Sequence, residues 1–304
     1  FDDFDAFAES GRDVDSKMLV RNTQAPSWFT CGVDLGPIDI QLGRLGSGNI
    51  AQGQLRGDGY MLYLPLTPRV EYRANGNVLE KGAFAVLEPG CEFCITTEVA
   101  HDWCVAFIPT QLLADIGEPF TAQSRSCFAT APNRRAAAQF RSTVLQIVNN
   151  AASYPEFETS PAAVNAMAEV FKVATRIVAP GQFVVPACGR TRLSRRLIIE
   201  RSMELIEQRI RDPLSVADLA VNGDVSERTL RRIFNQYCGV GPAKYIQLKR
   251  LNQIHRALLK ADRDETSVTH VALANGEWEM GRLAARYRQL FGELPSATLR
   301  KKPR

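Results

Sequence analysis

The chain has 304 residues, 45% hydrophobic and 23% charged, a length that fits about two domains and a composition that excludes a disordered or fibrous chain. No apolar run approaches the ~20 residues of a bilayer-spanning helix. The net charge of +4 hides a division: residues 190–304 carry 23 Lys/Arg against 13 Asp/Glu, whereas residues 1–189 carry 14 against 20. A basic half beside an acidic one suggests that the basic half meets a polyanion, although a solvated basic surface gives the same count. Seven cysteines at irregular spacing point to reduced thiols and a cytoplasmic protein. The acidic start (Asp2, Asp3, Asp5, Glu9) is the opposite of a basic secretory leader.

From Trp28 to Phe107 short strand signals alternate with turns. Ile38–Leu42 alternates apolar and polar residues, as a half-buried strand does. Tyr60–Leu64, Val70–Tyr72, Phe84–Leu87 and Trp103–Phe107 are further candidates, with a hairpin signal at Asn75-Gly76-Asn77 and a turn at Glu88-Pro89-Gly90. Many short strands with regular punctuation predict a sandwich or small barrel.

Two helices follow. Phe140, Val144, Ile147 and Val148 share one face, and Pro161 opens a helix carrying Val164, Met167, Ala168, Phe171 and Thr175. The pair either packs on the barrel or dimerises with its copy. The run from Pro180 to Gly189 breaks helix twice and reads as a linker. The expected division is therefore 1–180, a linker over 181–192, and 193–304.

The last part is helical throughout. Arg195–Arg211 forms an amphipathic helix, and Ser215 with Asp218 is a capping box that opens a short one. Ser226 caps the next helix, where Leu230, Ile233, Phe234 and Tyr237 form an apolar stripe opposite Arg228, Arg231, Arg232 and Asn235. A long helix runs from Pro242 to Leu259. A second short helix holds Val268, Val271 and Ala272. The final one turns Leu283, Tyr287, Leu290 and Phe291 inward and Arg282, Arg286 and Gln289 outward. Short helix, turn and arginine-faced helix thus occur twice, about 54 residues apart, which is the helix-turn-helix arrangement. Its second helix enters the major groove, where arginine's planar fork bonds guanine O6 and N7, or a phosphate.

The motif Leu214-Ser215-Val216-Ala217-Asp218-Leu219-Ala220, then Val225–Phe234, Gly239–Ile246 and Arg250-Leu251, is followed by Val268–Ala272, Gly276, Leu283–Gly292 and Pro295-Ser296. In this order the residues resemble the AraC/XylS class of bacterial transcription regulators, over a little under a third of the chain. The resemblance implies an activator of promoter DNA that works with RNA polymerase, as a homodimer; no cofactor or metal is expected. It implies recognition helices starting at Ser226 and Glu279. DNA contacts would then come from Ser226, Arg228, Thr229, Arg231 and Arg232 in the first unit. Glu279, Met280, Arg282 and Arg286 would supply them in the second.

Two departures from the family pattern bear on the second unit and the first turn. Glu277 stands where the family usually has Phe, so either Trp278 takes over that packing or the second unit is loosened. Gly223-Asp224 replaces a turn whose glycine is normally the later residue, and Asp tolerates the left-handed conformation. Gly281 inside the second recognition helix costs ~1 kcal/mol against Ala but permits close backbone approach. The second unit is expected to read DNA less specifically than the first.

The whole chain is thus expected to be α+β: an N-terminal cupin-like β-barrel or sandwich with flanking helices, then an all-α double helix-turn-helix domain. The β-half is expected to bind a small-molecule effector, dimerise, or both; an apolar pocket could draw on Tyr60, Tyr72, Phe93, Trp103 and Phe107, but core packing is the better account of each and no ligand site is assigned. Metal-binding cupins use several histidines, and this half has only His101. Cys91, Cys94, His101 and Cys104 match a Cys₃His zinc set by type, or a thiol sensor, but strand alternation favours small buried hydrophobes over either. His255 lies on an apolar stripe and reads as a packed residue, and His270 as a phosphate contact or nothing. No phosphate loop, nucleophile elbow or His-Glu-x-x-His is present, so no enzyme is expected. A cupin-type enzyme or carrier with an appended DNA-binding module is the alternative.

Overall fold

The computed structural model describes residues 4–79, 83–113, 128–130, 134–154, 156–178 and 190–301. Helix α1 (Phe4–Glu9) buries Phe4 and Phe7, and Phe4 meets Trp28 edge-on with ring centroids 5.5 Å apart. Strands β1 (Val14–Asp34) and β2 (Asp39–Leu55) form a long antiparallel hairpin. They are followed by β3 (Gly59–Pro65), β4 (Arg73–Ala74), β5 (Asn77–Val78), β6 (Ala85–Leu87), β7 (Glu92–Thr96) and β8 (His101–Pro109). Helix α2 (Thr110–Leu113) and β9 (Phe128–Thr130) complete this part. The nine strands among the described residues form one antiparallel sheet, ordered β5-β4-β7-β2-β8-β3-β6-β9, with β1 also paired to β2. Strand β2 is its spine: residues 50–54 pair with β7 and residues 39–45 with β8, while β1 follows the other edge.

Strand parity explains why β3 is apolar at every position. Successive side chains point to opposite faces, and a strand covered on both sides loses its polar alternation. Tyr60, Leu62 and Leu64 enter one core, and Met61 and Tyr63 the other. In β8, Cys104, Ala106 and Ile108 join the first, and Trp103 and Val105 the second. Helices α3 (Arg134–Ser153) and α4 (Pro161–Val178) cover the first face with Phe140, Val144, Ile147, Val170, Val173 and Ala174. The expected inward stripe of α3 is therefore observed. That of α4 is not: Val164 and Ala168 are exposed, and the buried residues lie on the neighbouring face.

The Asn75-Gly76 hairpin forms as expected, with both residues left-handed (φ 47° and 77°) between β4 and β5, the turn whose twist matches that of the strands it joins. Val70–Tyr72 is not a strand; pairing starts at Arg73. Most of β1 escapes sequence reading because among the described residues it pairs only with β2, and it carries polar residues, with Pro26 inside a register shift between Thr23 and Trp28. Proline is tolerated at such an irregular edge.

The remaining helices are α5 (Arg190–Arg209), α6 (Val216–Asn222), α7 (Glu227–Cys238), α8 (Pro242–Lys260), α9 (Val268–Ala274), α10 (Met280–Phe291) and α11 (Pro295–Leu299). They sit on the second face of the sheet, and one apolar core runs from Met18, Ile50 and Trp103 into Phe234, Tyr245 and Leu251. Polar contacts fix the registration. The Asn252 side chain accepts the Val20 N–H at 3.0 Å and donates to its carbonyl at 3.2 Å, closing the free edge of β1 like a further strand. The Tyr245 hydroxyl donates to Gln52 Oε1 at 2.7 Å. Glu207 takes Lys17 from the sheet and Lys249 from α8, both at 2.9 Å. The expected linker lies outside the described residues up to 189, and its last three positions open α5.

Candidate nucleic-acid interface

In the first unit, Ser215 and Asp218 form the capping box that starts α6. The chain then turns at Asp224, whose φ of 51° is the left-handed conformation required there; the Val225 N–H returns to the Ala220 carbonyl at 3.0 Å. The Ser226 hydroxyl oxygen accepts the Thr229 N–H at 3.2 Å and so caps α7. Leu230, Ile233, Phe234 and Cys238 are buried, and Arg228, Arg231, Arg232 and Asn235 are exposed on the opposite side. Tyr237, expected in the apolar stripe, is half-buried beside Cys238. Arg228 and Arg232 make no ion pair among the described residues, and Arg231 meets only Glu227, one turn back, at 2.7 Å. Such an exposed i, i+4 pair contributes about 0.3–0.5 kcal/mol, so a phosphate or guanine displaces it readily.

The second unit repeats the frame. Ser267 caps α9 through the His270 N–H at 3.2 Å. Gly276 turns the chain at φ 77°, and a Cβ there would fall 2.7 Å from the Ile210 carbonyl oxygen, so only glycine fits against the end of α5. Its arginines are held differently. Glu277 is 5% exposed and accepts the Glu279 N–H at 3.1 Å, while its carboxylate lies 3.7 Å from Arg286. Arg286 also bonds Glu279 at 2.5 Å, and Arg282 lies 4.0 Å from that carboxylate. Trp278 does not take over the core position, being 58% exposed; Glu277 fills it as a paired carboxylate. Met280 is half-buried against the core, and Gly281 faces open space.

The connecting helix α8 is fixed by Arg250, which donates to the carbonyls of Ile210 at 2.9 Å and Asp212 at 2.6 Å. His255 is packed as expected, stacked 4.2 Å over Phe291 and 2.6 Å from the Tyr287 hydroxyl. His270 is exposed and 2.8 Å from Thr266 Oγ1.

The cysteine–histidine set does not converge. His101 and Cys104 point to opposite faces of β8, and no group of three metal-ligating side chains occurs among the described residues. His101 is buried beside Thr97 and the Val99 carbonyl, and burial lowers its pKa to about 4. A small cavity of about 60 Å³ lies against it, lined by Met18, Met61, Tyr63, Phe93 and Trp103 among others. Of the five aromatics named from sequence, Phe93 and Trp103 reach it. Tyr60 faces the opposite core, and the Tyr72 hydroxyl is committed to the Asp102 carbonyl at 2.7 Å. A larger cleft of about 490 Å³ runs between the sheet and the helices, with walls that include Lys17, Gln52, Cys94, Glu207, Tyr245 and Lys249.

Residues 219–301 match the family described as "Helix-turn-helix domain", which spans both units just described. The XylDLEGF operon transcriptional activator of Pseudomonas putida is 37% identical over 101 residues, 33% of this chain and 32% of that protein. A crystal structure of a transcriptional regulator from Chromobacterium violaceum, titled as containing an AraC-type DNA-binding domain, is 31% identical. It covers 36% of this chain and 96% of its own, with a TM-score of 0.32. Residues 219–301 are thus a helix-turn-helix domain of the AraC type. A probable thc operon regulatory protein of Rhodococcus erythropolis is 34% identical over 106 residues, 35% of this chain and 32% of the relative. The match thus spans about a third of the length of these curated relatives, and it is the AraC-type domain that is shared. No helix among the described residues is long and apolar enough to cross a membrane.

Proposed function

We propose that the chain is a sequence-specific transcription activator whose AraC-type domain reads double-stranded promoter DNA. One observation carries this reading: two capped helix-turn-helix units, joined by α8, each present arginines on the outer side of the second helix. In this reading Ser226, Arg228, Thr229, Arg231 and Arg232 address one major groove. Glu279, Met280, Arg282 and Arg286 address the next, roughly 34 Å along the duplex. The relatives' names, which speak of operon activators and regulators, support activation. Activation adds RNA polymerase as a partner and places the protein in the cytoplasm, working by binding rather than catalysis.

The β-half acts as the sensor. A small-molecule effector changes the output only through different affinities for two arrangements of the chain. The cleft between sheet and helices supports this, because both halves build its walls and its occupant must favour one arrangement. The outer stripe of α4, where Val164 is 62% exposed beside Met167, Ala168 and Phe171, supports dimerisation with a second copy.

Affinity selection from random duplex DNA, with the winners re-bound at several salt concentrations, tests the reading. The expected result is an enriched site with two blocks about one helical turn apart. Binding that fades uniformly with salt, with no enriched sequence, overturns it.

A further inference from the structure

Cys94 on β7 and Cys238 at the end of α7 meet across the junction between the sheet and the DNA-binding helices. Both are buried, at 2% and 0% exposure, and their thiols are close enough to share a hydrogen bond. Cys94 Sγ also lies 3.8 Å from the carbonyl oxygen of Tyr237, the residue before Cys238, and 3.7 Å from the Gln52 amide nitrogen. Cys104 belongs to the core on the opposite face, and Cys31 is half-buried on β1.

We propose that Cys94 and Cys238 form a reversible disulfide that ties the first recognition helix to the sheet. The oxidant is a hydroperoxide, small and uncharged enough to enter the cleft whose wall includes Cys94. The two sulfurs divide the work. Cys94 lines the cleft by which the peroxide enters, beside the Gln52 amide nitrogen, whereas Cys238 does not line it. Burial, and then the hydrogen bond to Cys94, push the Cys238 thiol well above the ordinary thiol range, against the pull of the Arg21 guanidinium. Cys94 is thus the attacking sulfur and Cys238 the resolving one.

Cys94 thiolate attacks one peroxide oxygen and the O–O bond breaks, leaving a sulfenic acid on Cys94. The second oxygen leaves as water or an alcohol after taking a proton. Cys238 sulfur then attacks Cys94 sulfur, expelling hydroxide, which carries off the Cys238 proton as water. Two thiols lose two electrons and two protons, and the peroxide bond takes them up. Burial of Cys238 makes the second step slow, and a dithiol reductant reverses the product. While the bond holds, α7 cannot move relative to β7.

The test treats the full reduced chain with hydrogen peroxide, blocks remaining thiols with an alkylating agent under denaturing conditions, and maps the peptides by mass spectrometry. The expected map contains one cross-link joining the Cys94 and Cys238 peptides, two hydrogens lighter than their sum and lost on reduction. Cys238→Ser should leave Cys94 as a sulfenic acid that dimedone captures, and Cys104→Ser, on the opposite face, should leave the cross-link intact. Cys94 and Cys238 both recovered alkylated, or linked to other cysteines instead, overturns the proposal. The wild-type map decides this even where a serine variant fails to fold. It involves no DNA, so its failure and a failure of the DNA-binding reading are read separately.

Discussion

In the first helix-turn-helix unit, Arg228 and Arg232 stand free among the described residues and Arg231 holds one exposed glutamate. In the second, Arg286 is only 25% exposed, braced between Glu277 and Glu279, and Arg282 shares the same Glu279. The two units have the same helices, the same serine caps on their leading helices and the same inward stripe, yet their cations are available to different degrees. An arginine count along the recognition helices misses this, because affinity for a polyanion depends on what each guanidinium must release first. Releasing Arg286 takes a cation away from the buried carboxylate of Glu277, whereas releasing Arg231 exposes a glutamate that water already solvates. On the proposed reading, the first unit then reads base edges and the second clamps the backbone.

The largest expected effect is common to both units and separates what the sheet gives from what each unit gives. Both lean on β1: Arg21 bonds the Gly239 carbonyl just past α7 at 3.1 Å, and Thr23 bonds the Leu290 carbonyl of α10 at 2.6 Å. That sheet contains the buried His101, which burial keeps neutral down to about pH 4. Between pH 6.5 and about 4 the unfolded chain binds a proton there that the folded chain does not. Stability present above pH 6.5 is therefore lost as the pH falls through this window, by roughly 3 kcal/mol. Urea unfolding at pH 7 and pH 4.5 should show the loss, and His101→Gln should flatten the slope. A slope that His101→Gln leaves unchanged would assign it to other groups.

Next in size is the direct contrast between units. Arg231→Ala should cost ~1–3 kcal/mol on the selected DNA site and relax the preference at one base pair if it reads guanine. Arg286→Ala should cost less and act evenly across sequences. Titration of both variants against the selected site and a scrambled one gives the answer. Equal losses for the two variants would erase the asymmetry. Unchanged binding by Arg231→Ala would mean that α7 is not the helix in the groove.

Glu279→Gln sharpens the same point from the other side. It keeps the shape of the side chain and removes the charge that occupies Arg282 and Arg286. Affinity should rise several-fold, and the dependence of log K on log salt should steepen by ~0.9 for each phosphate newly neutralised. A weaker complex with an unchanged slope would instead make Glu279 a base-reading residue, as an acceptor from cytosine N4.

Much of this was legible in the sequence where local chemistry decides the outcome. Ser215 with Asp218, Ser226, Pro242 and the Asn75-Gly76 turn are satisfied within a few residues, so spacing alone places them. The arginine faces follow from helical period in the same way. What escaped depends on partners distant in the chain. Strand β1 is held by β2 and by Asn252, more than two hundred residues on, and nothing local marks it. The inward side of α4 is set by which core it meets, and Val164 and Val170 are equally apolar. The state of Arg286 was hidden for the same reason: Glu277 is read as a missing phenylalanine until its fold shows it paired.

The smallest effect tests the idea that the second recognition helix comes close to the DNA backbone. Gly281 sits in the first turn of α10, and a Cβ built there meets nothing within 4 Å. Its backbone is not left-handed, so alanine introduces no strain in the free protein. Gly281→Ala should therefore stabilise the fold by up to ~1 kcal/mol through helix propensity and reduced freedom of the unfolded chain. If the glycine is there to admit a phosphate against the helix, the same variant should bind DNA more weakly while melting at a higher temperature. Opposite signs in the two measurements locate the pressure for glycine in the complex rather than in the fold. Improvement in both would show that the groove leaves room for a side chain at this turn.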